Sequence, residues 1–124
     1  MNTRIEYMYR DASNYKAYGE AVLRGTISES EKEAIWKTLY DGEFFIPEEV
    51  GLDGLAGDLG ALDEEQDHPF HTIEGFFETE DSSTDLAPSA EEFVKSMLGM
   101  TQEKWSDAGV AWRNEKFGGG ECMI

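Results

Sequence analysis

The sequence predicts a small α+β domain: an antiparallel sheet of three or more strands, built on an N-terminal hairpin and covered by two or three helices. Two neighbouring segments near the N-terminus alternate apolar with polar residues, which is the pattern of half-buried strands. Two serine–glutamate capping boxes then open helices further along the chain. A length of 124 residues with 40% hydrophobic content suits a single core. We therefore expect one domain over residues 1–117 and a flexible, glycine-rich tail over residues 118–124.

The hairpin is predicted from the first two dozen residues. In its first arm Ile5, Tyr7 and Tyr9 alternate with mostly charged residues, and the second arm, residues 15–24, repeats the alternation. Successive side chains of a strand point to opposite faces, so each arm has one apolar row that other elements must cover. Between the arms, residues 11–14 read Asp-Ala-Ser-Asn, and such side chains bond nearby backbone groups in turns.

The first helix is expected over about residues 29–40. Its capping box is formed by Ser28 with Glu31 or, one register later, by a second serine–glutamate pair at positions 30 and 33. Asp41-Gly42 is expected to end it, because glycine adopts the left-handed dihedral that follows many helices.

The C-terminal helices are predicted in the same way. Ser89 with Glu92 forms a capping box, Gly99 ends that helix, and Thr101 caps a short third helix that carries Trp105.

The segment between the helices predicts shorter elements. Residues 43–47 read as a short extended piece, and Pro47 is suited to the first position of a helical turn. Residues 51–67 are rich in Gly and Asp and predict a loop with at most a turn of helix. Residues 68–80 predict a third strand in which Gly75 marks a bulge. The predicted core residues are Ile5, Tyr7, Ala17, Ala21, Leu23, Ile35, Leu39, Phe45, Ile73, Phe77, Phe93, Met97 and Trp105.

The uneven distribution of charge along the chain is the most distinctive feature of the sequence. The chain has 27 acidic and 10 basic residues, for a formal net charge of −17. No Lys or Arg occurs between Lys37 and Lys95, where seventeen Asp and Glu residues lie. Direct binding to nucleic acid or to anionic membrane is disfavoured, because phosphate contacts need Lys and Arg. A basic protein partner is favoured.

Cysteine usage and hydropathy favour the cytoplasm. Cys122 is the one cysteine, so no intramolecular disulfide forms, as is usual in a reducing compartment. No apolar run approaches the length of a membrane span, and the N-terminus lacks the apolar region of a signal peptide. Cys122 has no neighbouring cation that would activate it as a nucleophile.

A family resemblance rests on three segments: YMYRDASNYK near the start, then DGEFFIPEEVGL, then DHPFH before IEG. They resemble segments of a group of small bacterial proteins of no established activity. The resemblance spans residues 5–74 and implies a bacterial or phage-borne cytosolic protein. It implies no catalytic residues or cofactor, and it leaves open whether Arg10, Asp11, Asn14 and Tyr15 serve the turn or a ligand.

The same region contains two candidate cation sites. Asp67, His68, His71 and Glu74 place two imidazoles and two carboxylates within eight residues, a donor set that suits zinc or another transition metal. The simpler interpretation is a strand entry with one histidine against the core and one in solvent. Carboxylates at positions 63, 65, 67 and 74 have the spacing of a calcium loop, but His68 stands where the sharp turn needs Gly.

The function predicted from these patterns is a non-enzymatic acidic binding protein, without a cofactor, that acts on a protein with a basic surface. Its sharpest form is a nucleic-acid-mimicking inhibitor. The predicted interaction surface consists of Asp58, Asp63, Glu64, Glu65, Asp67, Glu78, Glu80, Asp81 and Asp85. The alternative is a divalent-cation-binding or metal-dependent protein that uses the segment from Asp67 to Glu74. A third interpretation is a small-ligand pocket, motivated by the aromatic density at Tyr7, Tyr9, Arg10, Tyr15 and Tyr18.

Overall fold

The N-terminal hairpin forms one half of a four-stranded sheet, with its first strand inside the sheet and its second strand at the edge. In a computed structural model, which describes residues 1–118, β1 (Asn2–Arg10) pairs antiparallel with β2 (Lys16–Leu23). The other side of β1 pairs with β4 (His71–Thr79), and the two-residue β3 (Phe44–Phe45) adds to β4. The strand order is β2-β1-β4-β3, and every pairing is antiparallel. The predicted α+β class is therefore confirmed.

Within residues 1–118, three α-helices and two 3₁₀ turns complete the fold. The helices are α1 (Glu29–Thr38), α2 (Ala90–Leu98) and α3 (Gln102–Phe117), and the 3₁₀ turns are Pro47–Val50 and Ala56–Leu59. Both predicted capping boxes are present, since the hydroxyls of Ser28 and Ser89 each accept the third backbone N–H of their helix. Thr101 caps α3, which at 16 residues is longer than the short helix that the sequence predicted. No helix within residues 1–118 combines the length and the hydropathy needed to cross a membrane.

The end of α1 corrects one prediction. The helix stops at Thr38, and Leu39 is already extended. Asp41 and Gly42 have φ values of 57° and 76°, and together they form a tight turn. Across this turn the backbone of Tyr40 exchanges two hydrogen bonds with that of Phe44, at 2.7 and 2.9 Å. Gly42 therefore reverses the chain into β3, four residues after the last residue of the helix.

The core lies between one face of the sheet and the helices. Ile5, Tyr7 and Tyr9 of β1 are buried on this face with α-helical residues that include Ile35 and Trp105. Of the predicted core, every residue except Phe77 is buried or packs against the buried cluster. The opposite face of the sheet, called here the open face, carries the side chains that alternate with the core residues along each strand.

Phe77 is the exception because a β-bulge shifts it. Tyr7 pairs with Ile73 but Glu6 pairs with Gly75, so Glu74 is an extra residue in β4. Beyond the bulge Phe77 lies opposite Arg4 on the open face and is 42% exposed. Its ring covers Gly75, where a Cβ would lie only 2.8 Å from the Phe77 Cζ atom. The predicted irregularity near Gly75 is confirmed. The sequence did not predict that it moves Phe77 from the core to the open face.

Candidate interaction surface

Three buried side chains of the sheet hold the acidic loop at residues 51–67. The Tyr7 hydroxyl donates to the carbonyl oxygen of Asp53 at 2.7 Å. The Tyr9 hydroxyl donates to the carboxylate of Asp67, and His71 accepts the backbone N–H of Leu55 at 2.9 Å. A loop rich in Gly and Asp is thus ordered by contacts from β1 and β4.

The contact between Tyr9 and Asp67 is buried. Asp67 is 7% exposed, and its second carboxylate oxygen accepts the backbone N–H of Asp63 at 2.8 Å. The Tyr9 hydroxyl in turn accepts the backbone N–H of His68 at 3.3 Å. Burial, and next the hydrogen bond to Asp67, raises the pKa of the Tyr9 phenol, so the tyrosine donates at any physiological pH. Asp67 is therefore a structural residue and is not presented to a partner.

Both histidines have their ring nitrogens occupied. In His71, which is 1% exposed, Nε2 accepts from Leu55, so Nδ1 carries the proton and donates to the carbonyl of Pro69 at 2.8 Å. Burial lowers the pKa of His71 to about 4. In His68, Nδ1 accepts the N–H of Phe70 at 3.1 Å, and Nε2 donates to the carbonyl of Arg10 at 2.8 Å.

These bonds bear directly on the alternative metal site. A metal ligand needs an unshared imidazole lone pair, and the lone pair of each ring already accepts a backbone N–H. Glu74 lies on the open face, where its carboxylate accepts from Thr72 at 3.0 Å. Within residues 1–118, no group of three or more His, Cys, Asp or Glu side chains has an arrangement that would hold a metal ion. The four residues of this segment are not brought together as ligands, and Asp63 caps its own turn by accepting from Glu65 N–H at 2.8 Å.

The acidic side chains are almost all at the surface. Of the seventeen carboxylates between Lys37 and Lys95, sixteen are exposed and only Asp67 is buried. Within the part of the chain that the structure describes, one of them forms an ion pair, Glu64 with Arg113 at 3.7 Å. The basic residues at the two ends of the chain therefore leave all but one of the central carboxylates without an ion pair within residues 1–118.

The predicted interaction surface divides into two groups at opposite ends of the sheet. The first group is Asp63, Glu64 and Glu65, beside the β1–β2 turn, where Ala12 N–H donates to Gln66. The second group, beside the other end of β1, is Glu78, Glu80, Asp81 and Asp85; Asn2 donates there to the carbonyl of Asp81 at 2.9 Å. The nine-residue β4, about 27 Å long, runs between these two ends and carries Glu78 near its far end. Asp58 precedes both groups in sequence and lies on the second 3₁₀ turn.

The open face also contains a groove of about 980 Å³. One row of side chains crosses all four strands at this groove, because Met8 pairs with Tyr18 and with Thr72, and Thr72 pairs with Phe44. Its remaining lining includes Arg10, Lys16, Trp36, Tyr40, His68 and Phe70. Sequence reasoning missed it because the row comes from strands far apart in the chain, and the only local signal was the alternation itself.

The predicted tyrosine pocket is only partly represented in that groove. Arg10 and Tyr18 line it, whereas Tyr7 and Tyr9 belong to the core. Tyr15 is 68% exposed and does not line it. Cys122 lies outside the described residues. The chain matches no family model, and no curated protein or solved structure is significantly similar to it.

Proposed function

We propose that this chain is a non-enzymatic, cytoplasmic binding protein whose partner is a protein with a basic surface. One observation carries the proposal: sixteen exposed carboxylates between Lys37 and Lys95 share a single ion pair among residues 1–118. A folded chain that neutralised these groups internally would have no comparable charge to offer a partner. Repulsion between them also opposes folding, and a basic partner relieves that repulsion.

The arrangement of the charge suggests how a partner is engaged. The two acidic groups lie near opposite ends of a strand about 27 Å long, which matches the length of about eight base-pair steps of B-form DNA at about 3.4 Å per step. The sharpest form of the proposal is a nucleic-acid mimic that occupies the binding groove of a basic protein. Such association is steered by long-range attraction and weakens with added salt.

The test uses purified nucleic-acid-binding proteins of high isoelectric point, with duplex DNA as competitor. Binding is measured by biolayer interferometry at low and at high salt. Lysine is introduced at either acidic group in two variants, and a control variant makes the same change in charge on the exposed surface of the helices. The variants are D63K/E64K/E65K, E78K/E80K/D81K and the control E33K/D107K/E115K.

We expect at least one of these basic proteins to bind, with DNA competing and each acidic-group variant weakening the association at least tenfold, well beyond the effect of the control. An association that does not weaken with added salt would contradict the proposal. So would one that the control variant weakens as much as the acidic-group variants do. Failure of every basic protein to bind at low salt would contradict it as well.

A further inference from the structure

The outer edge of β2 is covered at one position and open at the next two. The N–H of Val22 donates to the hydroxyl of Thr84 at 2.8 Å, and the Val22 carbonyl accepts the N–H of Thr84 at 2.9 Å. Both backbone groups of Val22 therefore point away from β1. Because this direction alternates with a period of two, the N–H and C=O of Glu20 and Tyr18 also point outward. Among residues 1–118, no hydrogen bond from outside the sheet reaches the backbone of either residue.

Carboxylates flank this stretch of edge on the open face. Glu20 is directly opposite Glu6 in the β1–β2 register, in a pair whose side chains approach closely. Both line a second pocket, of about 330 Å³, together with Glu74 and Tyr18. Like charges directly opposite one another destabilise a sheet, so an added cation between them would be stabilising.

Carboxylates also lie beyond the edge on the core face. Gly19 pairs with Tyr7, whose hydroxyl is bonded to the backbone of Asp53. Burial raises the pKa of Tyr7 to about 12, and the negative charges of Asp53, Glu48 and Asp58 contribute to that rise. Those three carboxylates therefore lie near the Tyr7 hydroxyl, and the same segment reaches β2 at Gly19, where an added Cβ would lie 2.9 Å from the Leu55 side chain. Of these six carboxylates, one forms an ion pair within the described residues: Glu6 pairs with Arg4 at 2.9 Å.

We propose that the edge of β2 at Tyr18–Glu20 takes a further β-strand from the partner, an extended segment with Lys or Arg side chains on both faces. The identity of the natural partner rests on the proposed function. Main-chain hydrogen bonds to the outward N–H and C=O groups supply affinity in such strand addition, and alternate side chains supply specificity. Side chains on one face of the added strand lie beside Glu20 and reach toward Glu6 on the next strand. Those on the other face approach the 48–58 segment.

The probe is an acetylated ten-residue peptide in which Lys-Lys pairs alternate with Val-Thr pairs, so that both of its faces are basic. Proline at position 18 removes one outward N–H without breaking the hairpin ladder, since that N–H does not pair with β1. The variants compared are therefore Tyr18→Pro and Tyr18→Ala, which both lose the phenol and differ in the N–H. A peptide with alternate N-methylated amides is a second control that leaves the protein unchanged.

We expect the peptide to protect the amide protons of Tyr18 and Glu20 from hydrogen exchange, as followed by NMR. Its affinity should be at least tenfold weaker for Tyr18→Pro than for Tyr18→Ala, and the N-methylated peptide should not bind. Binding without protection of those amides, or no binding at millimolar peptide, overturns the strand-addition inference and leaves the proposed function standing. Loss of binding to basic proteins, with protection by the peptide retained, overturns the proposed function instead.

Discussion

Replacing His71 by Gln tests whether a neutral, buried imidazole holds the acidic loop to the sheet. In the wild-type chain His71 Nε2 accepts the N–H of Leu55, and the ring is 1% exposed. The amide oxygen of Gln can accept the same N–H, but it does not titrate. The substitution therefore keeps one contact and removes one proton-binding group from the core.

The expected magnitude follows from the pKa of His71, which burial lowers from 6.5 to about 4. At pH 7 the imidazole is neutral in both the folded and the unfolded chain. As the pH falls through 6.5, the unfolded chain binds a proton that the folded chain binds only near pH 4, so the free energy of unfolding decreases over that window. The loss is about 2 kcal/mol at pH 5 and approaches about 3 kcal/mol at lower pH.

The assay is urea denaturation at pH 7 and at pH 5, followed by tryptophan fluorescence. The many carboxylates titrate in both proteins, so their contribution cancels when the two free energies of unfolding are subtracted. At pH 7 we expect the free energy of unfolding of wild type to exceed that of His71→Gln. This difference should decrease by about 2 kcal/mol from pH 7 to pH 5. An advantage of wild type that is equal at both pH values would refute the assignment of His71 as a buried neutral base.

Three further substitutions test other contacts by the same measurement. Tyr9→Phe leaves the buried carboxylate of Asp67 without its hydroxyl donor and should cost about 2 kcal/mol, whereas an unchanged free energy of unfolding would mean that the contact is not made. Ser89→Ala removes the cap of α2 and should cost about 1 kcal/mol, with Ser96→Ala on the exposed side of the same helix as the near-neutral control. Leu86→Gly should stabilise the chain by up to about 1 kcal/mol, because Leu86 is fully exposed at a φ of 66°; destabilisation would contradict that backbone assignment.

Local signals explain what the sequence predicted well. Capping by Ser28 and Ser89 depends on residues three apart, and alternation in β1 depends on residues two apart. Such patterns specify an element without reference to the rest of the chain. The hairpin, both capped helices and nearly all of the core could be predicted for this reason.

The features that the sequence predicted wrongly or not at all depend on contacts between residues that are distant in the chain. Phe77 is on the open face because one extra residue, Glu74, enters β4 opposite β1, and a one-residue shift reverses every later side chain. The sequence made His71 a candidate metal ligand. Its hydrogen-bond partner, the backbone N–H of Leu55, lies sixteen residues away and leaves no motif in the sequence. The groove on the open face likewise requires the register of four strands.

The proposed function and the stability of the core depend on the same contacts. Tyr7, Tyr9 and His71 hold the backbone of the 53–67 segment and the side chain of Asp67, so the backbone that carries its exposed carboxylates is ordered before a partner arrives. A loop that is already ordered loses less conformational entropy on binding than a mobile one, and its affinity for a basic partner is correspondingly higher. Acidification should therefore weaken partner binding twice, by protonating surface carboxylates and by protonating His71, which releases Leu55. In His71→Gln the second effect is absent, so the partner affinity of this variant should fall less steeply between pH 7 and pH 4 than that of wild type.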